Sequence, residues 1–126
     1  MNLNQVTIPV DNMEKAVEFY LKLGLTQIVD SPHYARFESE SSTFSLMLNS
    51  ESFHNGAIIY FENEKIDEWV EQLQTRGIVF EQTPTDEPYL WREASLKDPS
   101  GNTIKLYWAG KNRLNPPWRV DIKKTS

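Results

Sequence analysis

Imidazole and thiol chemistry have little to work with in this sequence. Cysteine is absent, which removes disulfides, thiolate zinc sites, iron–sulfur clusters and a cysteine nucleophile. The two histidines, His33 and His54, fall between strand-like runs, where a turn or surface role outweighs that of base or ligand. No order of Ser, His and Asp suggests a triad, which is defined by geometry and not by presence. The five glycines are isolated, whereas phosphate loops and dinucleotide fingerprints cluster theirs ahead of a helix, so no nucleotide or other cofactor is expected. Among the charged residues in strand-like runs, Glu93 and Lys105 are the ones that bear on chemistry. Glu93, if it points inward, is a weak candidate for general base. Lys105 has three roles open to it: an ion pair with Glu93, extension along the sheet to water, or reception of an anionic ligand.

The elements that position these residues are legible from spacing. Residues 12–24 place Met13, Ala16, Val17, Tyr20 and Leu21 at helical intervals, with Asp11 or Asn12 as N-cap and Gly24 as terminator. Residues 66–77 repeat the pattern with Ile66, Trp69, Val70 and Leu73, again closing on a glycine. At an offset of 53 residues, Val17 falls on Val70, Glu18 on Glu71, Gly24 on Gly77 and Leu25 on Ile78. Internal duplication follows. A strand precedes each helix, Gln5–Val10 in one half and 57–61 in the other, and three strand-like runs follow it. Those runs are 25–29, 34–38 and 43–48, then 78–83, 89–96 and Thr103–Trp108. The expected fold is α+β, two βαβββ modules over about 3–50 and 56–108 with an extended tail over 109–126, in one domain spanning 1–126.

Strand side chains alternate between faces. Val6, Ile8 and Val10, then Phe44, Leu46 and Leu48, then Ile104, Leu106 and Trp108 therefore face the helices. The opposite face receives Gln5, Thr7, Ser45, Met47, Lys105 and Tyr107 and, through the repeat, Ile58 and Tyr60. Ala94 and Leu96 look helix-facing, which turns Trp91, Glu93 and Ser95 to the same mixed face, although Arg92 on the other parity leaves this strand ambiguous. A mixed polar and aromatic face on a curved sheet is a candidate ligand surface.

Composition bounds the function classes. A chain of 126 residues that is 39% hydrophobic and 25% charged reads as one soluble globular domain. Its longest apolar run, 57–61, is five residues, where a membrane span needs about 20. With no basic segment leading into an apolar stretch at Met1 to Gln5, a cytoplasmic protein without membrane contact is expected. The formal charge of −5 argues against nucleic acid as a partner. That charge is unevenly placed: residues 1–104 carry seven Lys/Arg against seventeen Asp/Glu, whereas 105–126 carry six against Asp121 alone. The basic tail holds Pro116-Pro117, which must be extended, and Trp118, whose large apolar surface is expected to pack on the body or on a partner subunit.

The duplicated unit, its second copy closing on Asp98-Pro99-Ser100-Gly101-Asn102-Thr103-Ile104-Lys105-Leu106, resembles the vicinal oxygen chelate superfamily of glyoxalases, bleomycin-resistance proteins and extradiol dioxygenases. Val10-Asp11-Asn12-Met13, Phe19-Tyr20, Leu23-Gly24-Leu25 and Trp91-Arg92-Glu93-Ala94 carry the rest of the likeness, which covers about residues 4–108. The resemblance implies two modules whose sheets curl into an open cup, usually in a homodimer. It also implies metal ligands at four inward strand positions, which here hold Gln5, Ser45, Ile58 and Lys105. Only Gln5 is a plausible ligand among them, so no metal is expected. The function expected is metal-independent binding of a small organic molecule, aromatic and anionic in character, by Gln5, Thr7, Ser45, Met47, Ile58, Tyr60, Trp91, Glu93, Lys105 and Tyr107. The alternative is a metal-dependent lyase, epimerase or dioxygenase of the glyoxalase type.

Overall fold

The structure, a computed structural model, describes residues 1–123. The first module runs β1 (Gln5–Val10), α1 (Met13–Leu23), β2 (Thr26–Asp30), β3 (Tyr34–Ser39) and β4 (Ser42–Leu48). The second runs β5 (Ile58–Glu62), α2 (Ile66–Thr75), β6 (Gln82–Asp86), β7 (Arg92–Lys97) and β8 (Thr103–Trp108). Each module forms its own four-stranded sheet, ordered β1-β4-β3-β2 and β5-β8-β7-β6. In both, the strand before the helix pairs parallel with the last strand, Gln5 opposite Thr43 and Ile58 opposite Thr103, while the other ladders are antiparallel.

Local chemistry sets the helix ends. The Asn12 side chain accepts the Lys15 N–H at 3.0 Å, and Gly24 closes α1 at φ 114°, a left-handed conformation that glycine adopts without steric penalty. Lys65 supplies no side-chain cap to α2, where Asp67 and Glu68 in the first turn complement the helix dipole instead. The helices bury Ala16, Tyr20 and Leu23, and Ile66, Val70 and Leu73. Leu23 takes the place expected of Leu21, which stays 47% exposed.

The helix-facing sides of both sheets drain into one core, where Ile8, Phe37, Phe44 and Leu46 meet Ala94, Leu96, Ile104 and Leu106. Phe44 meets Phe61 across the modules at 5.7 Å between ring centroids. The turn after β7 fastens them further. Asp98 Oδ1 accepts the backbone N–H groups of Ser100 and Asn102, and its Oδ2 accepts the buried Tyr20 hydroxyl at 2.6 Å. Asn102 in turn donates to the Pro9 carbonyl at 2.8 Å. Burial and then the Asp98 charge push the Tyr20 phenol far above its ordinary range.

Four expectations shift in the structure. The run 78–83 is not the sixth strand, because the Ile78 N–H returns to the Leu73 carbonyl and its side chain joins the core. β6 forms later, and its Pro84 is tolerated because β6 is an edge strand. β7 starts at Arg92 and not at 89, because Glu87 to Trp91 is a turn with Leu90 at φ 67°. Trp108, at the end of β8, is exposed instead of facing a helix. The tail opens with a single 3₁₀ turn, Gly110–Asn112, where the Ala109 and Gly110 N–H groups donate to Glu62. Beyond it Trp118 stays 56% exposed; positions 124–126 of the tail lie outside the described residues. No helix among the described residues is long and apolar enough to cross a membrane.

Candidate functional site

On the second sheet, pairing puts Tyr60 beside Lys105, Lys105 beside Ser95, and Tyr107 beside Glu93, all on the face away from α2. Ala94 and Leu96 point to the core, which resolves the orientation of β7. Arg92 keeps the other parity and reaches Asp67 on α2 and Asp86 on β6, at 2.8 and 3.1 Å. Trp91, just before β7, stacks on Tyr107 at 4.6 Å, and Tyr60 meets both rings edge-on at 5.8 and 5.5 Å. Tyr60 remains 41% exposed, so this aromatic cluster has an open side.

Glu93 lies beneath that cluster and is only 3% exposed. Its Oε1 accepts the Tyr89 hydroxyl and the Lys105 ammonium, the latter at 3.2 Å. Its Oε2 is buried without a partner among the described residues. Of the three roles open to Lys105, the geometry selects the ion pair. The two charges meet through Oε1, while Oε2 has no partner among the described residues. Burial, then hydrogen bonding to Glu93, raises the Tyr89 phenol above its ordinary range, and burial followed by the Glu62 charge raises that of Tyr107.

The first sheet presents a separate polar face. Gln5 donates to Thr7 at 3.1 Å and to the buried Ser45 hydroxyl at 2.9 Å, and accepts from Thr43. Ser45 also shares a hydrogen bond of 2.7 Å with the Tyr34 hydroxyl, which accepts from Arg36 Nε at 2.9 Å. The bond to Ser45, and then Arg36, hold the Tyr34 phenol below its ordinary range against the opposing pull of burial. Tyr34 and Arg36 were missed from the sequence. Their signal was the parity of β3, since Arg36 lies opposite Ser45 and Tyr34 opposite Met47. Met47 and Ile58 are exposed, one on each sheet's open face.

No hydrogen bond or ring contact among the described residues joins the two faces. The deep groove between the modules, about 410 Å³, is lined by Val6, Thr43, Phe44, Phe61 and Trp69 and touches only Tyr60 among the candidate residues. Both histidines are exposed. The four positions implied for metal do not fit a divalent cation. Gln5 and Ser45 are engaged by Thr43 and Tyr34, Ile58 has no donor atom, and Lys105 brings an ammonium already paired with a carboxylate.

With this geometry in hand, comparison with known proteins is informative. The family model of the Glyoxalase/Bleomycin resistance protein/Dioxygenase superfamily matches residues 2–106. No curated protein sequence matches the chain. Among solved structures, a glyoxalase/bleomycin resistance protein/dioxygenase from Nocardioides is 22% identical with a TM-score of 0.77, over 96% of this chain and 90% of that one. A superfamily member from Sphaerobacter thermophilus is 26% identical with a TM-score of 0.71, over 86% and 97%. A lactoylglutathione lyase from Agrobacterium tumefaciens is 17% identical with a TM-score of 0.69, over 85% and 92%.

Proposed function

This chain belongs to the glyoxalase/bleomycin resistance protein/dioxygenase superfamily, and from that premise we propose that it binds a small, flat organic molecule without a resident metal. The observation that carries this reading is the ring cluster Tyr60, Trp91 and Tyr107. It stays open on one side although three aromatic rings are in mutual contact, and aromatic walls with a few fixed polar groups are the usual make-up of a ligand site. Glu93 and Lys105 beneath the rings supply a net-neutral polar floor. The donor set at Gln5, Ser45, Ile58 and Lys105 supports the metal-free part of the reading.

A second copy of the chain is the partner we propose. Met47, Ile58 and Tyr60 leave apolar surface on the two open faces, and Trp118 leaves more on the tail. The tail is basic and the body acidic, so like copies are complementary and their contact has a defined register. A ligand lying on one open face is then covered by the other copy, in the manner of bleomycin-resistance proteins that sequester their ligand and do no chemistry on it.

Metal loading tests the central claim. Protein purified without a histidine tag, incubated with Ni²⁺, Zn²⁺, Mn²⁺ or Fe²⁺ and desalted, should retain well below one equivalent per chain by elemental analysis. Stoichiometric retention overturns the reading and restores the metal-dependent lyase, epimerase or dioxygenase alternative.

A further inference from the structure

The polar chain on the first sheet has a proton that its own hydrogen bonds do not place. Ser45 is fully buried, and its hydroxyl has two partners, the Gln5 amide nitrogen and the Tyr34 oxygen. The amide nitrogen is a donor, so Ser45 accepts from it. Of the two, only the Tyr34 oxygen is able to receive the Ser45 proton, and a buried hydroxyl left undonated is costly. Tyr34 therefore accepts from Ser45 and also from Arg36 Nε at 2.9 Å. An oxygen that accepts twice must aim its own O–H away from both donors, at the position left around it. There it has no acceptor among the described residues, and neither do the two terminal nitrogens of Arg36, which form no ion pair among them. Tyr34 and Arg36 are both partly exposed, and so within reach of a solute.

We propose that the Tyr34 hydroxyl and the Arg36 guanidinium form an oxyanion-binding pair that takes the carboxylate of a small organic molecule at the first sheet's open face. A phenol O–H and a guanidinium fork side by side are the donors that carboxylates bind most strongly, through charge-assisted hydrogen bonds. Ser45 and Gln5 act behind them as positioning residues, since their bonds fix the direction of the Tyr34 proton. The same arrangement holds the Tyr34 phenol's pKa below its ordinary range, through the bond to Ser45 first and then Arg36. It also moves anion recognition away from Lys105, whose charge is met by Glu93. The inference deepens the small-molecule reading and rests on it.

Benzoate and its neutral analogue benzamide are the probes, titrated into the full chain carrying ring-labelled tyrosine and followed by NMR. Benzoate should move the Tyr34 resonance saturably and benzamide should not. Arg36→Met and Tyr34→Phe should each weaken benzoate about tenfold or more, the scale of one charge-assisted hydrogen bond. Arg36→Lys should retain part of the affinity lost in Arg36→Met, and Arg76→Met, at an exposed arginine after α2, should leave benzoate binding unchanged. The spectra themselves report whether each variant is folded; the three arginine variants leave the Tyr34 signal in place, and binding to Tyr34→Phe is read from the benzoate's own resonances. A Tyr34 resonance that ignores benzoate, or follows benzamide equally, overturns the pair. If benzamide then moves Tyr60 and Tyr107, the aromatic pocket stands without it; if neither probe moves any ring, both readings fall.

Discussion

Replacing Lys105 with methionine asks whether this ammonium is held by the fold or kept for a ligand. Methionine retains the unbranched stem beside Tyr60 and removes the charge, leaving Glu93 buried with the Tyr89 hydroxyl as its one remaining side-chain donor among the described residues. Removing one partner of a buried ion pair costs about 3–5 kcal/mol. The Lys105 side chain is 22% exposed against 4% for Glu93, so part of its charge is hydrated and the lower end, about 3 kcal/mol, is expected. Glu93→Gln should cost less, about 1–2 kcal/mol, because the freed ammonium can turn to water. The double variant removes both charges, so the cycle should close with a coupling of about 1.5–3 kcal/mol. Urea titration at two salt concentrations measures all four corners, with equal m-values as the condition for comparing them. The coupling should survive added salt, which screens buried pairs little. A coupling within about 0.5 kcal/mol, as exposed pairs give, refutes the assignment and returns Lys105 to the role of anion receptor.

Tyr20→Phe removes the buried bond to Asp98 that ties α1 to the second module, and should cost about 1.5–3 kcal/mol in the same urea assay. The Tyr20 phenol is raised in the fold, so its contribution is fully present below the unfolded phenol's pKa of about 10 and is lost as pH rises beyond it, where only the unfolded chain ionises. Stability of the parent should therefore decline above that pH more steeply than that of Tyr20→Phe, and parallel curves count against the linkage. Sedimentation of the full chain should give a dimer that Trp118→Ser weakens; two monomers under the same conditions count against the partner proposed.

The fold was readable because two independent signals agreed. Helical spacing at Ala16, Tyr20 and Val70 and the offset between the two halves each implied the same repeat, and a one-residue slip in any strand would have broken the alternation of Ile8, Leu46, Ile104 and Leu106. Boundaries moved where tertiary demands outranked local pattern. Ile78 is apolar and follows a helix, so it reads as the start of a strand. Its N–H is already used in closing α2, and no count of apolar residues shows that. At Leu90 the backbone takes a positive φ, a conformation that leucine does not announce. The register irregularities in β2 and β6 likewise leave no mark in composition.

The site was less readable, because parity says which face a residue occupies and not what it meets there. Lys105 and Glu93 shared a face by alternation, yet three roles stayed open until the distance of 3.2 Å and the burial of Glu93 decided among them. Tyr34 and Arg36 carried no motif and acquired meaning only opposite Ser45. The same limit governs the family's metal positions. The polar residues there are part of local networks, Gln5 and Ser45 with each other and with Thr43 and Tyr34, and Lys105 with Glu93. A glutamate placed at 105 would meet the buried Glu93 carboxylate, and two like charges at such range suppress each other's ionisation. A histidine at 58 would also need a hydrogen-bond partner to orient it, as metal-binding imidazoles almost always have. A metal site at these four positions would therefore depend on the networks around them, and exchanging the four residues alone is not expected to create one.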